Sequence, residues 1–417
     1  MIDYSYNLHR LLHSTVKTSL KNISLLEQQS SQPHLQIYLK WLQNYHWEDS
    51  NLFSTMDLLE NDAIDQLMLK IEEAKPAWKM FVEAARNFHS IIRGTVDPLA
   101  LLISTDLAEQ FYNEIFKNLA DTETFRTFLD LASHENPNLE ILEVGAGVGG
   151  FTAPILMALH DFETLNGGAR FSKYVYTDVS PAFFEGAKSK FQRFTTRMEF
   201  LTLDLETDMI IQGFNANSYD MVIAGGVLLA TTNLSRSLQN IHKVLKPGGK
   251  LVFFEVTNPV SLPLNYGFGI LPGWCKSVES WRENGPAVDV DRWSILLKEN
   301  GYSGNDLVLR DFHDDICHNF SIIISTSDTT HEAIRREGRI LLVVDCNSTT
   351  QAHLAYALSS STLSRAGYRI CTIRLEDLQF EDLKTDDTIV SSLSSVNQCL
   401  EFCWRQCSSH SSTSSKE

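Results

Sequence analysis

The chain has 417 residues and a mass of 47.2 kDa, which predicts two or three folding units, each large enough to bury its own core. Its 52 acidic residues against 35 basic ones give a formal net charge of −17, which repels a phosphate backbone and argues against nucleic acid as a partner. Hydrophobic content of 43% is ordinary for a globular chain. No apolar run reaches the roughly 18 residues that a membrane-spanning helix needs, so we expect no membrane insertion.

The N-terminus and the cysteines indicate the compartment. Residues 1–6 lack the basic and apolar segments of a secretion signal, so we expect a cytoplasmic protein. The seven cysteines are scattered, which suits reduced thiols. Cys399, Cys403 and Cys407 recur every four residues, which places them along one side of a helix but fits neither an iron–sulfur nor a zinc pattern. We therefore expect no metal site.

Residues 1–120 predict an all-helical cap or lid, because apolar residues recur there with helical spacing, as at Leu35, Leu39 and Leu42. From residue 139 short apolar runs alternate with amphipathic segments, which indicates crossover connections and a mostly parallel sheet. The expected strands are Leu139–Val144, Tyr174–Thr177, Met198–Leu203, Tyr219–Ala224 and Lys250–Val256. Helices are expected near 150–160, 181–192 and 234–246, the last ended by residues 247–249, Pro-Gly-Gly.

Two later strands, Asp306–Arg310 and Phe320–Ser325, lie close enough in the chain to form an antiparallel pair at the sheet edge. Residues 121–328 therefore predict a Rossmann-like, mostly parallel α/β sheet with an antiparallel edge strand. After a charged stretch at 331–338, a strand at Arg339–Asp345 begins a partial α/β unit over 339–406, and the serine-rich tail 407–417 predicts disorder. Met1 suggests a true start, whereas the unfinished unit suggests a cut from a longer chain.

The strongest local motif is a strand, a glycine loop and a helix over residues 141–160. Gly145, Gly147 and Gly150 also satisfy the dinucleotide pattern, which leaves a nicotinamide oxidoreductase as a weaker alternative. Glu143 favours another ligand, because a carboxylate at a strand end repels a pyrophosphate and attracts the cationic sulfonium and ammonium groups of S-adenosylmethionine. The motif therefore predicts S-adenosylmethionine as the cofactor.

Two further acids follow the next strands. Asp178 can accept the two ribose hydroxyls, and Asp204 can reach the adenine amino group. A single acid after a strand is more often a solvated loop residue or a helix cap, but three at successive strand ends behind a glycine loop favour a cofactor site. The predicted cofactor-binding residues are Glu143, Gly145, Ala146, Gly147, Gly149, Asp178, Asp204 and Leu205.

The order of these motifs resembles a class I S-adenosylmethionine-dependent methyltransferase and, more specifically, the C-methyltransferase domain of fungal highly reducing polyketide synthases. The resemblance spans roughly residues 35–325, and the segments that carry it are Ile91–Leu99, Leu142–Gly150, Tyr176–Phe184, Ala230–Val256 and Phe268–Trp274. It implies methylation of the α-carbon of a β-ketoacyl thioester carried by an acyl carrier protein, with other polyketide synthase domains as further partners. It also implies that 339–406 opens a structural ketoreductase half.

In that family a histidine in a His-Ala-Thr run acts as the general base, and a glutamate on strand five orients it. Glu255 matches the glutamate and is the catalytic residue that the resemblance implies. Leu229 stands where the histidine is expected, and Gly226 stands where an asparagine is expected. The chain is therefore either a methyltransferase that has lost its base or a silent scaffold or binding module that keeps the fold.

The resemblance also implies a substrate pocket. Tyr112 of the lid lies where the family lines this pocket, although lid aromatics more often serve packing. Phe268 and Trp274 belong to an aromatic loop punctuated by Gly and Pro, which we expect to close the other side of the pocket. His242, on the helix predicted at 234–246, is better explained as a solvated or capping residue than as a substitute base.

Overall fold

The computed structural model describes residues 1–22, 32–45, 59–103, 105–274, 276–282 and 285–328, and three later strands at 339–344, 369–374 and 388–391. The chain divides into two compact units, residues 1–328 and 329–417. The charged stretch 331–338, the three cysteines from 399 onward and the serine-rich tail lie outside the described residues. Within the described residues no helix is both long and apolar enough to cross a membrane.

Helices fill the described part of the first 135 residues, as the spacing of the apolar residues predicts. They bury a continuous apolar face, in which Leu11, Phe81 and Ile91 are fully buried. Pro98 follows the N-cap Asp97, whose side chain accepts a hydrogen bond from the Leu99 amide. The helices are α1 (Ile2–Asn22), α2 (Pro33–Asn44), α3 (Asn61–Ala74), α4 (Lys79–Ile92), α5 (Pro98–Leu102), α6 (Leu107–Ala120) and α7 (Glu123–Glu135).

A seven-stranded sheet forms the centre of the first unit, and its order is β3-β2-β1-β4-β5-β7-β6. The first five strands are parallel, and β7 is antiparallel to both β5 and β6. The predicted fold class and the predicted antiparallel pair are therefore confirmed. The strands are β1 (Glu140–Val144), β2 (Lys173–Asp178), β3 (Met198–Thr202), β4 (Tyr219–Gly225), β5 (Leu245–Val256), β6 (Leu307–Arg310) and β7 (Phe320–Thr326).

Five further helices flank the sheet: α8 (Thr152–Asn166), α9 (Phe184–Lys190), α10 (Leu234–Val244), α11 (Leu262–Gly269) and α12 (Val290–Glu299). Helix α10 ends at Val244, before the predicted end at 246. Leu245 is already extended, with ψ of 138°, and Pro247 favours an extended conformation at Lys246. The chain therefore enters β5 at Leu245, and its register with β4 shifts where the Pro-Gly-Gly segment intervenes.

Side chains on alternate positions of the strands pack into two apolar layers. Ile141 of β1 belongs to the layer that holds the N-terminal helices, whereas Leu142 belongs to the layer of α10 and α12. By the same alternation Glu143 faces the first layer, and Glu255, which lies two positions after Phe253, faces the second. The strand order reverses between β1 and β4, which is where open α/β sheets form a ligand crevice at the carboxyl ends of their strands.

The second unit contains three parallel strands, β8 (Arg339–Val344), β9 (Arg369–Arg374) and β10 (Thr388–Ser391), in the order β10-β8-β9. The strand predicted at Arg339–Asp345 is therefore present. The segments that join these strands lie outside the described residues. The assignment of 339–406 to a partial ketoreductase unit stays a prediction, as do the boundaries predicted for the other domains.

Candidate functional site

The glycine loop after β1 is closely packed at its two ends and open in the middle. Gly145, Gly147 and Gly149 have φ values of 61°, 55° and 74°, which residues with side chains rarely adopt. A Cβ atom on Gly145 would lie 2.4 Å from Cγ2 of Val227, and one on Gly149 would lie 2.6 Å from Cε2 of Phe191. A Cβ atom on Gly147 would meet no atom of the described residues within 4 Å. The open space of the loop is therefore at Gly147.

Asp178 joins the end of β2 to this loop. One oxygen of its carboxylate, Oδ2, accepts a hydrogen bond from the Gly147 amide at 3.0 Å, and Oδ1 accepts one from the Ser180 amide at 2.9 Å. The Ala146 amide donates to the Thr177 carbonyl at 2.8 Å. Each oxygen of a carboxylate can accept more than one hydrogen bond, so Asp178 retains acceptor capacity beside the open part of the loop.

Glu143 is held by neighbouring secondary structure. It is 1% exposed, and its Oε2 accepts hydrogen bonds from the Thr152 and Tyr174 hydroxyls, each at 2.6 Å. Burial raises the pKa of the Glu143 carboxyl to about 7, and the two hydroxyls act in the opposite direction. The structure therefore ties this carboxyl to α8 and β2. Its contribution to cofactor binding stays a prediction.

Asp204 is exposed and caps a turn after β3. Its carboxylate accepts hydrogen bonds from the Glu206 amide and the Thr207 hydroxyl, both at 2.9 Å. Leu205, the next residue, is buried in the layer of α10 and α12. This capping role is the one more common for a single acid after a strand. Contact of Asp204 and Leu205 with an adenine ring stays a prediction.

Glu255 is fully buried at the carboxyl end of β5, next to the main chain at position 229. Its Oε1 accepts hydrogen bonds from the Leu228 amide at 2.8 Å and the Leu229 amide at 3.2 Å. Its Oε2 has no hydrogen-bond partner among the described residues. Burial raises the pKa of Glu255 to about 8. Burial also raises the pKa of Tyr112, and the nearby Glu255 carboxyl adds to that increase.

Arg282 binds carbonyls of the segment 228–231, whose amides bind Glu255. The sequence did not indicate this role. Arg282 is 1% exposed, and its Nη2 donates to the Thr231 carbonyl at 3.0 Å and to Glu279 at 2.7 Å. Its Nη1 donates to the Leu229 carbonyl at 3.4 Å. Arg282 and Glu255 together position the main chain from 228 to 231. Arg282 lies in a short 3₁₀ turn without a recognisable motif, so no local signal marks it.

The structure brings the three predicted pocket residues together. The ring of Phe268 lies 5.6 Å from that of Tyr112 and 5.5 Å from that of Trp274, measured between centroids. Phe268 lies in helix α11, whereas the sequence analysis expected a loop, because Ser261 caps this helix and Pro263 stands in its first turn. The cluster also meets the lid, since Tyr112 belongs to α6. Its role in binding a substrate stays a prediction.

Helix α6 also reaches the glycine loop. A Cβ atom on Gly150 would lie 3.0 Å from Cδ2 of Phe116 and 3.1 Å from Oδ1 of Asn113. A Cβ atom on Gly226, which has a φ of 68°, would meet only Phe116 within 4 Å, at 3.9 Å. One side of the crevice between β1 and β4 is therefore formed by a helix of the predicted lid.

A buried histidine lies near Glu255 and was also missed. His318 Nδ1 is 2.7 Å from an Asp311 carboxylate oxygen, and its Nε2 is 3.2 Å from the Thr257 hydroxyl. That hydroxyl lies 2.7 Å from the hydroxyl of Ser321, the residue paired with Glu255 across β5 and β7. Only the pairing of strands far apart in the chain creates this network.

His242, considered above as a substitute base, packs against residues that follow α12. Its ring lies 5.2 Å from that of Tyr302, and a Cβ atom on Gly301 would lie 2.8 Å from its Nε2. These contacts place it between α10 and the end of α12. Among the described residues no group of three or more His, Cys, Asp or Glu side chains is arranged to hold a metal ion.

Comparisons with known proteins match this geometry. Residues 142–251 match the family model described as a methyltransferase domain. The chain is 36% identical over 402 residues to highly reducing polyketide synthase 2 of Gibberella zeae, an alignment that covers 92% of this chain and 15% of that protein. It is also 36% identical over 265 residues to squalestatin tetraketide synthase of a Phoma species, covering 64% of this chain and 10% of that protein.

The chain belongs to the family of C-methyltransferase domains of fungal highly reducing polyketide synthases. This domain is similar to the trans-methyltransferase CalH, solved in complex with SAH, with 26% identity and a TM-score of 0.64 over 78% of this chain and 91% of that one. The DszA carbon methyltransferase has 25% identity and a TM-score of 0.58 over 78% and 88% of the two chains. The chain spans about a seventh or less of the length of the synthases named above.

Proposed function

We propose that this domain binds S-adenosylmethionine at the glycine loop and methylates the α-carbon of a β-ketoacyl thioester carried by the acyl carrier protein of a polyketide synthase. The observation that carries the proposal is the open space at Gly147, bordered by the Asp178 carboxylate. Gly226 has little around it on the opposite side of the crevice. These residues fit an adenosyl ligand, since Asp178 can accept hydroxyl hydrogen bonds and the glycines permit close approach.

The reaction requires an electrophilic methyl group, which the cofactor supplies when it is bound. The chain must orient the acyl group and receive the α-proton. The aromatic cluster of Tyr112, Phe268 and Trp274 offers apolar surface to an acyl chain. Leu229 cannot receive a proton, and loss of a positioned general base typically lowers a rate by about 10² to 10⁴. The β-keto group already acidifies the α-proton, so we propose slow turnover.

A catalytically silent scaffold or binding module is the second candidate. Two observations favour it: Leu229 stands where the family has a histidine, and Oε2 of Glu255 has no hydrogen-bond partner among the described residues. Under either candidate the partners we propose are the acyl carrier protein and the neighbouring synthase domains. The relatives support this choice, since they are polyketide synthases of which this chain spans one part.

Calorimetry with S-adenosylhomocysteine tests the cofactor site. We expect Gly147→Asp to weaken binding by at least about tenfold. The new carboxylate would occupy the open space, and the ligand would lose the equivalent of one strong polar contact with the site. Gly167→Asp is the matched control: Gly167 lies at the C-terminus of α8 with a φ of 70°, and no described residue has an atom within 4 Å of its Cβ position. Equal binding by Gly147→Asp and the parent would refute the site.

Two further measurements separate the alternatives. A titration with NADH tests the oxidoreductase reading, and tight NADH binding without S-adenosylhomocysteine binding would replace our proposal. Mass analysis of a carrier-bound β-ketoacyl substrate after incubation with S-adenosylmethionine tests methyl transfer. We expect slow methylation, and complete absence of product from a chain that binds the cofactor favours the silent module.

A further inference from the structure

Lys190, the last residue of α9, contacts the glycine loop from outside. Its ammonium donates hydrogen bonds to the carbonyls of Val148 at 3.0 Å and Gly149 at 3.2 Å. The preceding carbonyl, that of Gly147, accepts a hydrogen bond from the Tyr176 hydroxyl at 2.5 Å. Three consecutive carbonyls of the loop are therefore bound by side chains of β2 and α9.

Lys190 is exposed, and its hydrogen bond to the Gly149 carbonyl is partly buried. Phe191, which follows Lys190, is the residue whose ring leaves no room for a Cβ atom at Gly149. Burial lowers the pKa of the Lys190 ammonium, whereas the carboxylates of Glu109 and Glu143 act in the opposite direction. These two acids belong to α6 and β1, so the ammonium lies among charges from separate elements of the first unit.

A loop rich in glycine needs such contacts. Gly145, Gly147, Gly149 and Gly150 fall within six residues, and glycine loses more conformational freedom on ordering than any other residue. A loop that is already ordered binds its ligand more tightly, because less entropy is lost on binding. An ammonium that bridges two adjacent carbonyls supplies this order without occupying the open space at Gly147.

We infer that Lys190 is a positioning residue for the cofactor site: by holding the carbonyls of Val148 and Gly149, it keeps the glycine loop in the conformation that binds the adenosyl ligand. The inference rests on the proposed function, since it concerns the same site. Lys190 lies outside the glycine motif and acts on the backbone of the loop.

Calorimetry with S-adenosylhomocysteine on the full chain provides the test. We expect Lys190→Met to raise the dissociation constant by about tenfold or more, the loss of a single charge-assisted hydrogen bond being enough for this change. Lys190→Arg should recover most of the affinity, because a guanidinium can also donate to both carbonyls. Lys188→Met is the matched control: Lys188 lies on the same helix, and its Nζ pairs with Glu185 at 2.7 Å.

Two readouts separate loop positioning from general stability. Without ligand, Lys190→Met should speed hydrogen exchange at the amides of 147–149 and leave the thermal unfolding midpoint close to that of Lys188→Met. Unchanged affinity in Lys190→Met would overturn the inference, and so would a loss that follows a drop in the midpoint and is not rescued by arginine. If the parent chain does not bind S-adenosylhomocysteine, the proposed cofactor function itself is wrong.

Discussion

At the scale of single residues, Glu255 combines a buried carboxyl with an incomplete set of hydrogen bonds. Main-chain amides of Leu228 and Leu229 bind its Oε1, and Oε2 has no partner among the described residues. Buried polar atoms without a partner are rare in folded proteins. The main chain at position 229 is within hydrogen-bond distance of this carboxyl, and the family resemblance implies a histidine at that position as its partner.

Leu229→His should raise methylation of a carrier-bound β-ketoacyl thioester by at least about tenfold, a cautious fraction of the usual general-base effect. The imidazole would supply a proton acceptor, and Glu255 would orient it. Mass analysis of the carrier-bound product measures the change. Leu229→Asn, which is polar but cannot act as a base, is the control. No gain in a Leu229→His variant that still binds cofactor and substrate would favour the scaffold.

Glu255 also predicts a dependence of stability on pH. Burial raises its folded-state pKa from 4.5 to about 8. Between these two values the folded state keeps a proton that the unfolded state has lost, so the contribution of Glu255 to stability falls as pH rises through this window. Below pH 4.5 both states are protonated, and above about pH 8 both are ionised.

Glu255→Gln should therefore stabilise the chain at pH 8, on the order of 1–4 kcal/mol, and this advantage should disappear near pH 4.5. The amide oxygen can still accept hydrogen bonds from Leu228 and Leu229, and the amide does not ionise in this pH range. Urea unfolding of both proteins across this pH range measures the difference. Glu143, whose pKa is also raised, is present in both proteins and cancels. A difference independent of pH would contradict the assignment.

At the scale of secondary structure, the connection from β6 to β7 is organised by Asp311. Its carboxylate oxygens lie 3.1 Å from the amides of Asn319 and Phe320, and 2.7 Å from His318 Nδ1. The Asn319 side chain in turn accepts a hydrogen bond from Ser261, the N-cap of α11, at 2.5 Å. The turn after β5 and the helix that carries Phe268 are therefore tied to the end of the antiparallel pair.

Asp311→Ala should lower the free energy of unfolding by about 1–3 kcal/mol, because it leaves buried amides without an acceptor. Denaturant unfolding monitored by circular dichroism measures this loss. Asp315→Ala is the comparison: its side chain is 91% exposed and pairs with Arg310 at the surface, so its removal should change stability little. Equal effects of the two substitutions would show that the Asp311 network does not stabilise this connection.

At the scale of the whole molecule, the helical layer and the sheet share one compact unit, residues 1–328. The Tyr38 hydroxyl of α2 donates to the Tyr266 carbonyl of α11 at 3.0 Å, and a Cβ atom on Gly267 would lie 2.6 Å from Phe81 of α4. Such close packing couples the lid helices to α11 and hence to the aromatic cluster. The helices predicted to form a lid are thus packed into the core of this unit.

The local features of this protein followed from the sequence. Alternation of apolar runs predicts the strands, glycine spacing predicts the loop after β1, and Leu229 stands visibly in place of the family's histidine. The strands and the loop are encoded within a few neighbouring residues: the period of the apolar pattern marks the strands, and the backbone freedom of glycine marks the loop. The family resemblance rests on the same local motifs, so it does not depend on the tertiary structure.

Only the tertiary structure decided which side chains meet. Arg282 reaches the carbonyl of Leu229 across 53 positions of the chain, and Lys190 reaches that of Gly149 across 41. The two buried glutamates look alike in sequence, yet Glu143 accepts hydrogen bonds from two hydroxyls on one face of the sheet. On the other face, one oxygen of Glu255 has no partner within the part of the chain that the structure describes. Strand pairing and packing set these orientations, and neither can be read from residue type or spacing.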